Sequence, residues 1–117
     1  MTVVKTHKDL DVWRLSMEFV VSVYEITRYF PQSEQYGLTS QLRRASVSVP
    51  SNIAEGAARK TKKEFIQFLY ISLASLSEIE TQLIISSRLS YIDNDKELIL
   101  SLTTIRKMLL GLIKSLK

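Results

Sequence analysis

Six cations crowd one short stretch of the chain. Between positions 43 and 63 stand Arg43, Arg44, Arg59, Lys60, Lys62 and Lys63 against Glu55 alone, a net +5, while the whole sequence carries +4. The entire positive excess thus belongs to one segment, as expected of an electrostatic footprint for a polyanion. A solvated helix end would show the same charge run. No aromatic residue interrupts the segment, so the chemistry it offers is contact with a phosphate backbone, not stacking on splayed bases. Six cations on one chain neutralise few phosphates and give weak, salt-sensitive binding. A closed oligomer repeating the patch would raise avidity with no new contact per subunit.

The other reactive side chains point away from catalysis. Four-helix bundles hold di-metal sites through paired Glu-x-x-His motifs, and this chain has a single His, His7, read as a solvated tail residue. Glu55, Glu78 and Glu80 lie mid-helix and carboxylates alone can bind a hard cation, but Glu78 and Glu80 project about 200° apart on a helix and cannot share one ion. Glu80 falls within the apolar stripe of its helix, where an acid is costly unless paired; Arg43, Arg44 and Arg106 are its candidate partners. No serine sits in a Gly-x-Ser-x-Gly elbow and no glycine-rich loop is present to cradle phosphates. Zero cysteines exclude disulfides, thiolate metal sites and thiol nucleophiles. The expectation is a protein that is not an enzyme, with no metal and no cofactor.

The elements that would position the cations are helical. With 117 residues, 45% of them hydrophobic, and only three Gly and two Pro, the chain suits one all-α domain over 1–117, with 1–8 as a flexible tail. From Asp9 to Phe30 two apolar stripes run along one helix. Leu10, Trp13, Met17, Val20, Val21 and Tyr24 form the first; Val12, Leu15, Phe19, Val23, Ile26 and Phe30 form the second, about 135° away. One bundle core needs only one stripe; the partner of the second could be a third or fourth helix, but burial on two sides in so small a fold points to contact between subunits, with Val12, Phe19, Val23 and Ile26 as the expected interface.

Pro31 ends this helix, and a second runs from about Tyr36 to Ala58 on Leu38, Leu42, Ala45, Val49 and Ile53 or Gly56, with an expected kink at Pro50. Small residues around it, among them Ser46, Ser48, Ser51 and Gly56, permit close backbone approach. Thr61 and Glu64 have capping-box spacing and open a third helix reaching about Leu89. Asp93 can cap a fourth, whose Leu98, Leu102, Ile105, Leu109, Leu112 and Leu116 form a regular seam. Four long helices with short links close as an up-down-up-down antiparallel bundle. The N-terminus lacks a signal-peptide core and no apolar run approaches about 20 residues, so the protein is expected in the cytoplasm, away from membranes.

Several runs resemble a known family. Lys8-Asp9-Leu10-Asp11-Val12-Trp13, Phe30-Pro31 with Glu34, Tyr36-Gly37-Leu38-Thr39-Ser40-Gln41-Leu42-Arg43-Arg44-Ala45, Ser48-Val49-Pro50-Ser51-Asn52-Ile53-Ala54-Glu55-Gly56, and Ser75-Leu76-Ser77-Glu78-Ile79-Glu80-Thr81-Gln82-Leu83 look like the bacterial 23S rRNA intervening-sequence proteins. The resemblance covers positions 8 to about 90. It implies a four-helix bundle that forms a homopentamer, sometimes encoded within insertions in 23S rRNA genes. That family is similar in fold to the accessory protein of diversity-generating retroelements, a basic pentamer that binds nucleic acid and a reverse transcriptase. Among the cations, Arg43, Arg44 and Arg59 lie in or beside matching runs; Lys60, Lys62 and Lys63 do not. The expected partners are further copies of the chain, nucleic acid with RNA ahead of DNA, and, as the alternative reading, a partner protein docked on an oligomeric scaffold.

Overall fold

The structure is a computed structural model and describes residues 6–117. Its helices are α1 (Asp11–Thr27), α2 (Leu38–Ala57), α3 (Lys62–Arg88) and α4 (Lys96–Leu116). Each packs antiparallel to its neighbours, so the chain forms an all-α, up-down-up-down four-helix bundle. Arg43 of α2 meets Thr27 of α1, Gln41 meets Gln82 of α3, and Glu80 of α3 meets Arg106 of α4. The starts of α1 and α3 and the ends of α2 and α4 therefore share one end of the rod.

The start of the chain is more ordered than a tail. Among the expected tail residues 1–8, 1–5 lie outside the described residues, while Thr6 closes a capping box with Asp9 over a 3-10 turn, His7–Asp9. His7 is half-buried, its ring 5.0 Å from that of Trp13, so it is not a solvated side chain.

Glu34 holds the opposite end together. Its Oε1 accepts the Leu38 amide at 3.2 Å, capping α2, and its Oε2 accepts the Tyr91 hydroxyl at 3.0 Å, tying the α1–α2 link to the α3–α4 link. A Cβ on Gly37 would stand 2.5 Å from Glu34 Oε1, so any side chain there displaces the capping carboxylate. The hydrogen bond from Tyr91 to Glu34 is the largest influence raising the Tyr91 pKa, followed by desolvation and the Glu34 charge.

Small residues bring α2 and α3 close. Ser48 and Ser75 hydroxyls are 2.8 Å apart, and Ser72 donates to the Val49 carbonyl at 2.9 Å. Gly56 faces Phe65 and Phe68 where no Cβ fits. The α2 helix continues through the buried Pro50.

Thr61 accepts the Glu64 amide at 3.1 Å and opens α3 at Lys62, as its spacing predicts. The start of α4 differs from expectation: Asn94, not Asp93, receives the Lys96 amide, at 3.0 Å. Its seam buries Leu98, Leu102, Ile105 and Leu109, then shifts from Leu112 to Ile113, because a straight helix of 3.6 residues per turn drifts from a strict heptad. By length and composition Lys62–Arg88 is apolar enough to cross a membrane, yet Leu69, Leu76, Ile79 and Leu83 are fully enclosed in the bundle core.

Candidate nucleic-acid interface

Two of the six cations are committed to holding helices together. Arg43 Nε donates to Thr27 Oγ1 at 2.9 Å and Nη2 to the Tyr24 carbonyl at 3.4 Å, with the guanidinium 4.6 Å from the Tyr24 ring centroid. A cation satisfying a carbonyl in the last turn of α1 is favourably placed against that helix's dipole. Arg59 pairs with Glu55 at 2.9 Å and lies over the Phe68 ring at 4.8 Å, so the one acid in the basic segment is spoken for within it.

The other four are exposed and make no ion pair among the described residues: Arg44, Lys60, Lys62 and Lys63. They do not form one patch. Arg44 sits on the α2 flank beside a polar pocket it shares with Gln41, Ser48, Ser75 and Glu78. Arg59 is 15 positions further on, about 22 Å at 1.5 Å per residue. The segment that is continuous in sequence is thus split between a flank and the turn joining α2 to α3. Topology adds cations that the sequence leaves scattered: exposed Lys8, Lys114 and Lys117 belong to the same end of the rod as that turn. Nothing local in the sequence signals this, since it arises only when the chain's last helix returns beside its first.

The assignment of an interface to Val12, Phe19, Val23 and Ile26 is corrected. Val12, Phe19 and Val23 are 4%, 4% and 0% exposed within the single chain, and Ile26 packs against that core. The bundle takes the second stripe of α1 as its inner face and leaves part of the first outside, with Met17, Val21 and Tyr24 exposed. Met17 and Trp13 join Val47, Pro50 and Ala54 in a shallow groove of about 320 Å³ between α1 and α2.

Glu80 is paired. Arg106 lies 3.2 Å from its carboxylate, with both side chains partly exposed, which resolves the choice among three candidate arginines. Glu55 is held by Arg59.

A model of the 23S rRNA-intervening sequence protein family matches residues 8–111. The chain belongs to that family. Among solved structures, it is similar to a protein of unknown function from the S23 ribosomal protein family of Bacteroides thetaiotaomicron, with a TM-score of 0.81 and 26% identity over 88% of this chain and 95% of that one. No curated protein matches it. The family match extends past Leu89 through most of α4, further than the resemblance of individual runs carries.

Proposed function

We propose that this intervening-sequence protein is a non-enzymatic, homo-oligomeric nucleic-acid-binding protein that meets the phosphate backbone of RNA, ahead of DNA, in the bacterial cytoplasm. The observation that carries the reading is the α2–α3 turn, where Lys60, Lys62 and Lys63 are exposed with no carboxylate paired to them among the described residues. Cations left unneutralised by their own fold are the ones free to replace counterions on a polyanion. Arg59 is offset by its pair with Glu55, and Arg43 acts chiefly on the packing of α1.

Assembly, expected as a pentamer from the family resemblance, is supported by the exposed Met17, Val21 and Tyr24 of α1, with Met17 sharing a groove with Val47 of α2, an apolar strip of the kind that marks an interaction site. The same strip supports the alternative reading, a scaffold that docks a partner protein. Light scattering of the purified chain tests the assembly that both readings require: a particle several chains in size supports it, and a monomer would refute it. The nucleic-acid reading is tested by titrating labelled RNA with the chain and with K60E/K62E/K63E at low salt. Loss of affinity in the variant is expected, and unchanged affinity would reduce the cluster to solvated surface.

A further inference from the structure

The charge of the folded molecule is polarised along its long axis. In segments 6–18, 48–75 and 107–117, which form the end and half-length nearest the α2–α3 turn, nine Lys and Arg face five Asp and Glu; in 19–47 and 76–106 six face seven. The acids of the basic half are also largely engaged. Asp11 pairs with Arg14, Glu55 pairs with Arg59, and Glu64 accepts the Thr61 hydroxyl. Seven lysines in that half, Lys8, Lys60, Lys62, Lys63, Lys107, Lys114 and Lys117, make no ion pair among the described residues. Like charges gathered at one end of a low-dielectric body sum to a field well beyond that of any single lysine. Helix dipoles do not create it, because the positive starts of α1 and α3 are opposed by the negative ends of α2 and α4.

We infer that nucleic acid lies across this end of the bundle, with Lys114 of α4 and Lys117 just after it contacting phosphates together with Lys60, Lys62 and Lys63, and with Arg44 outside the contact. The inference rests on the nucleic-acid reading and relocates its site from a stretch of sequence to an end face built by separate elements. The pairing of Arg106 with Glu80 sets α4 antiparallel along α3, and a groove shared by Ser22 and Ile26 with Glu97 and Ser101 sets it antiparallel along α1. Residues 114 and 117 are thereby carried towards the starts of α1 and α3. The cross-section of the rod, 24 × 19 Å, spans roughly 14 phosphate charges of a duplex at about one per 1.7 Å, enough for five lysines to engage at once. Arg44 lies in the first half of α2, towards the other end of the rod, and shares a pocket with Glu78, which offsets its charge at the surface.

The test is fluorescence anisotropy of a labelled RNA duplex titrated with the full chain, K114E/K117E, K60E/K62E/K63E and R44E, each checked for native helicity. A neutral pair, K114Q/K117Q, separates lost attraction from added repulsion. K114E/K117E is expected to weaken binding by roughly tenfold or more at low salt, with a smaller loss for K114Q/K117Q, and R44E to change it less than about twofold. Undiminished affinity of K114E/K117E beside a weakened K60E/K62E/K63E would overturn the end-face site and leave the nucleic-acid reading intact. So would an R44E loss as large as that of K114E/K117E. A native chain that fails to bind RNA or DNA would remove both.

Discussion

Replacing Gly56 by Ala tests how tightly α2 and α3 are drawn together. The new Cβ would stand 2.7 Å from Phe68 Cβ, 2.9 Å from Phe65 Cδ1 and 3.2 Å from the Phe65 carbonyl oxygen, against about 3.5–4.0 Å for carbon atoms in comfortable contact. Two of these neighbours are main-chain or Cβ atoms that no rotamer change can remove, so the helices must part locally by about 1 Å. Overpacking of this kind costs about 1–3 kcal/mol, while Ala in place of Gly inside a helix returns about 1 kcal/mol. The net is a destabilisation of about 0–2 kcal/mol, centred near about 1, and a fall of up to roughly 8 °C in Tm. Gly111 supplies the control, since a Cβ there meets nothing within 4 Å; Gly111→Ala is expected to stabilise by up to about 1 kcal/mol. Urea unfolding followed by circular dichroism at fixed protein concentration reads both. If Gly56→Ala stabilises as much as Gly111→Ala, the α2–α3 seam has slack and its small residues do not set the spacing of the two helices.

Glu34→Ala removes the α2 cap and the Tyr91 acceptor together, and a loss of about 1–3 kcal/mol is expected in the same assay; a loss no larger than that of an exposed surface control would dismiss the link. Because Tyr91 has a raised pKa in the folded chain, its protonated form is favoured there. Its contribution is complete below the unfolded value near 10 and fades as pH rises through the folded one, so Tyr91→Phe should lose stability below that window and show a shallower alkaline decline than the native chain. Arg43→Ala should lower Tm, because its bonds to Thr27 and the Tyr24 carbonyl disappear, yet alter RNA affinity less than Lys60→Ala; the reverse ranking would make Arg43 a phosphate contact. Arg106→Ala is expected to cost no more than about 1 kcal/mol, since the pair with Glu80 is partly exposed, and a double-mutant cycle with Glu80→Ala measures the coupling.

Where local chemistry decides, the fold is legible in the residues. Thr61 and Glu64 mark the start of α3, the leucine seam marks α4, and the awkward position of Glu80 calls for the arginine it finds. The inner face of α1 is harder to read, because both of its stripes are apolar. Polar Ser16 and Thr27 complete the true core stripe by donating to the carbonyls of Val12 and Val23, each at 2.7 Å, and this self-satisfaction hides them among the polar positions. Met17 and Val21, apolar and therefore assigned inward, are left outside. The basic run misleads for a geometric reason. A helix of 20 residues is about 30 Å long, so its two ends belong to different surfaces, and cations adjacent in sequence need not meet. Arg43 finds partners on α1 that only the tertiary fold brings into reach, Arg59 takes a carboxylate one helical turn away, and Lys114 and Lys117 arrive at the turn from the far terminus.

The most direct test of the central claim is the dependence of RNA affinity on salt. Plotting the logarithm of the association constant against that of salt concentration, for the native chain and for K60E/K62E/K63E, measures how many phosphates these lysines engage. Removing all three phosphate-bound lysines should flatten the slope by about 2–3, at 0.7–0.9 per phosphate. Parallel lines for the two proteins would show that the α2–α3 turn meets no phosphate and would contradict the account.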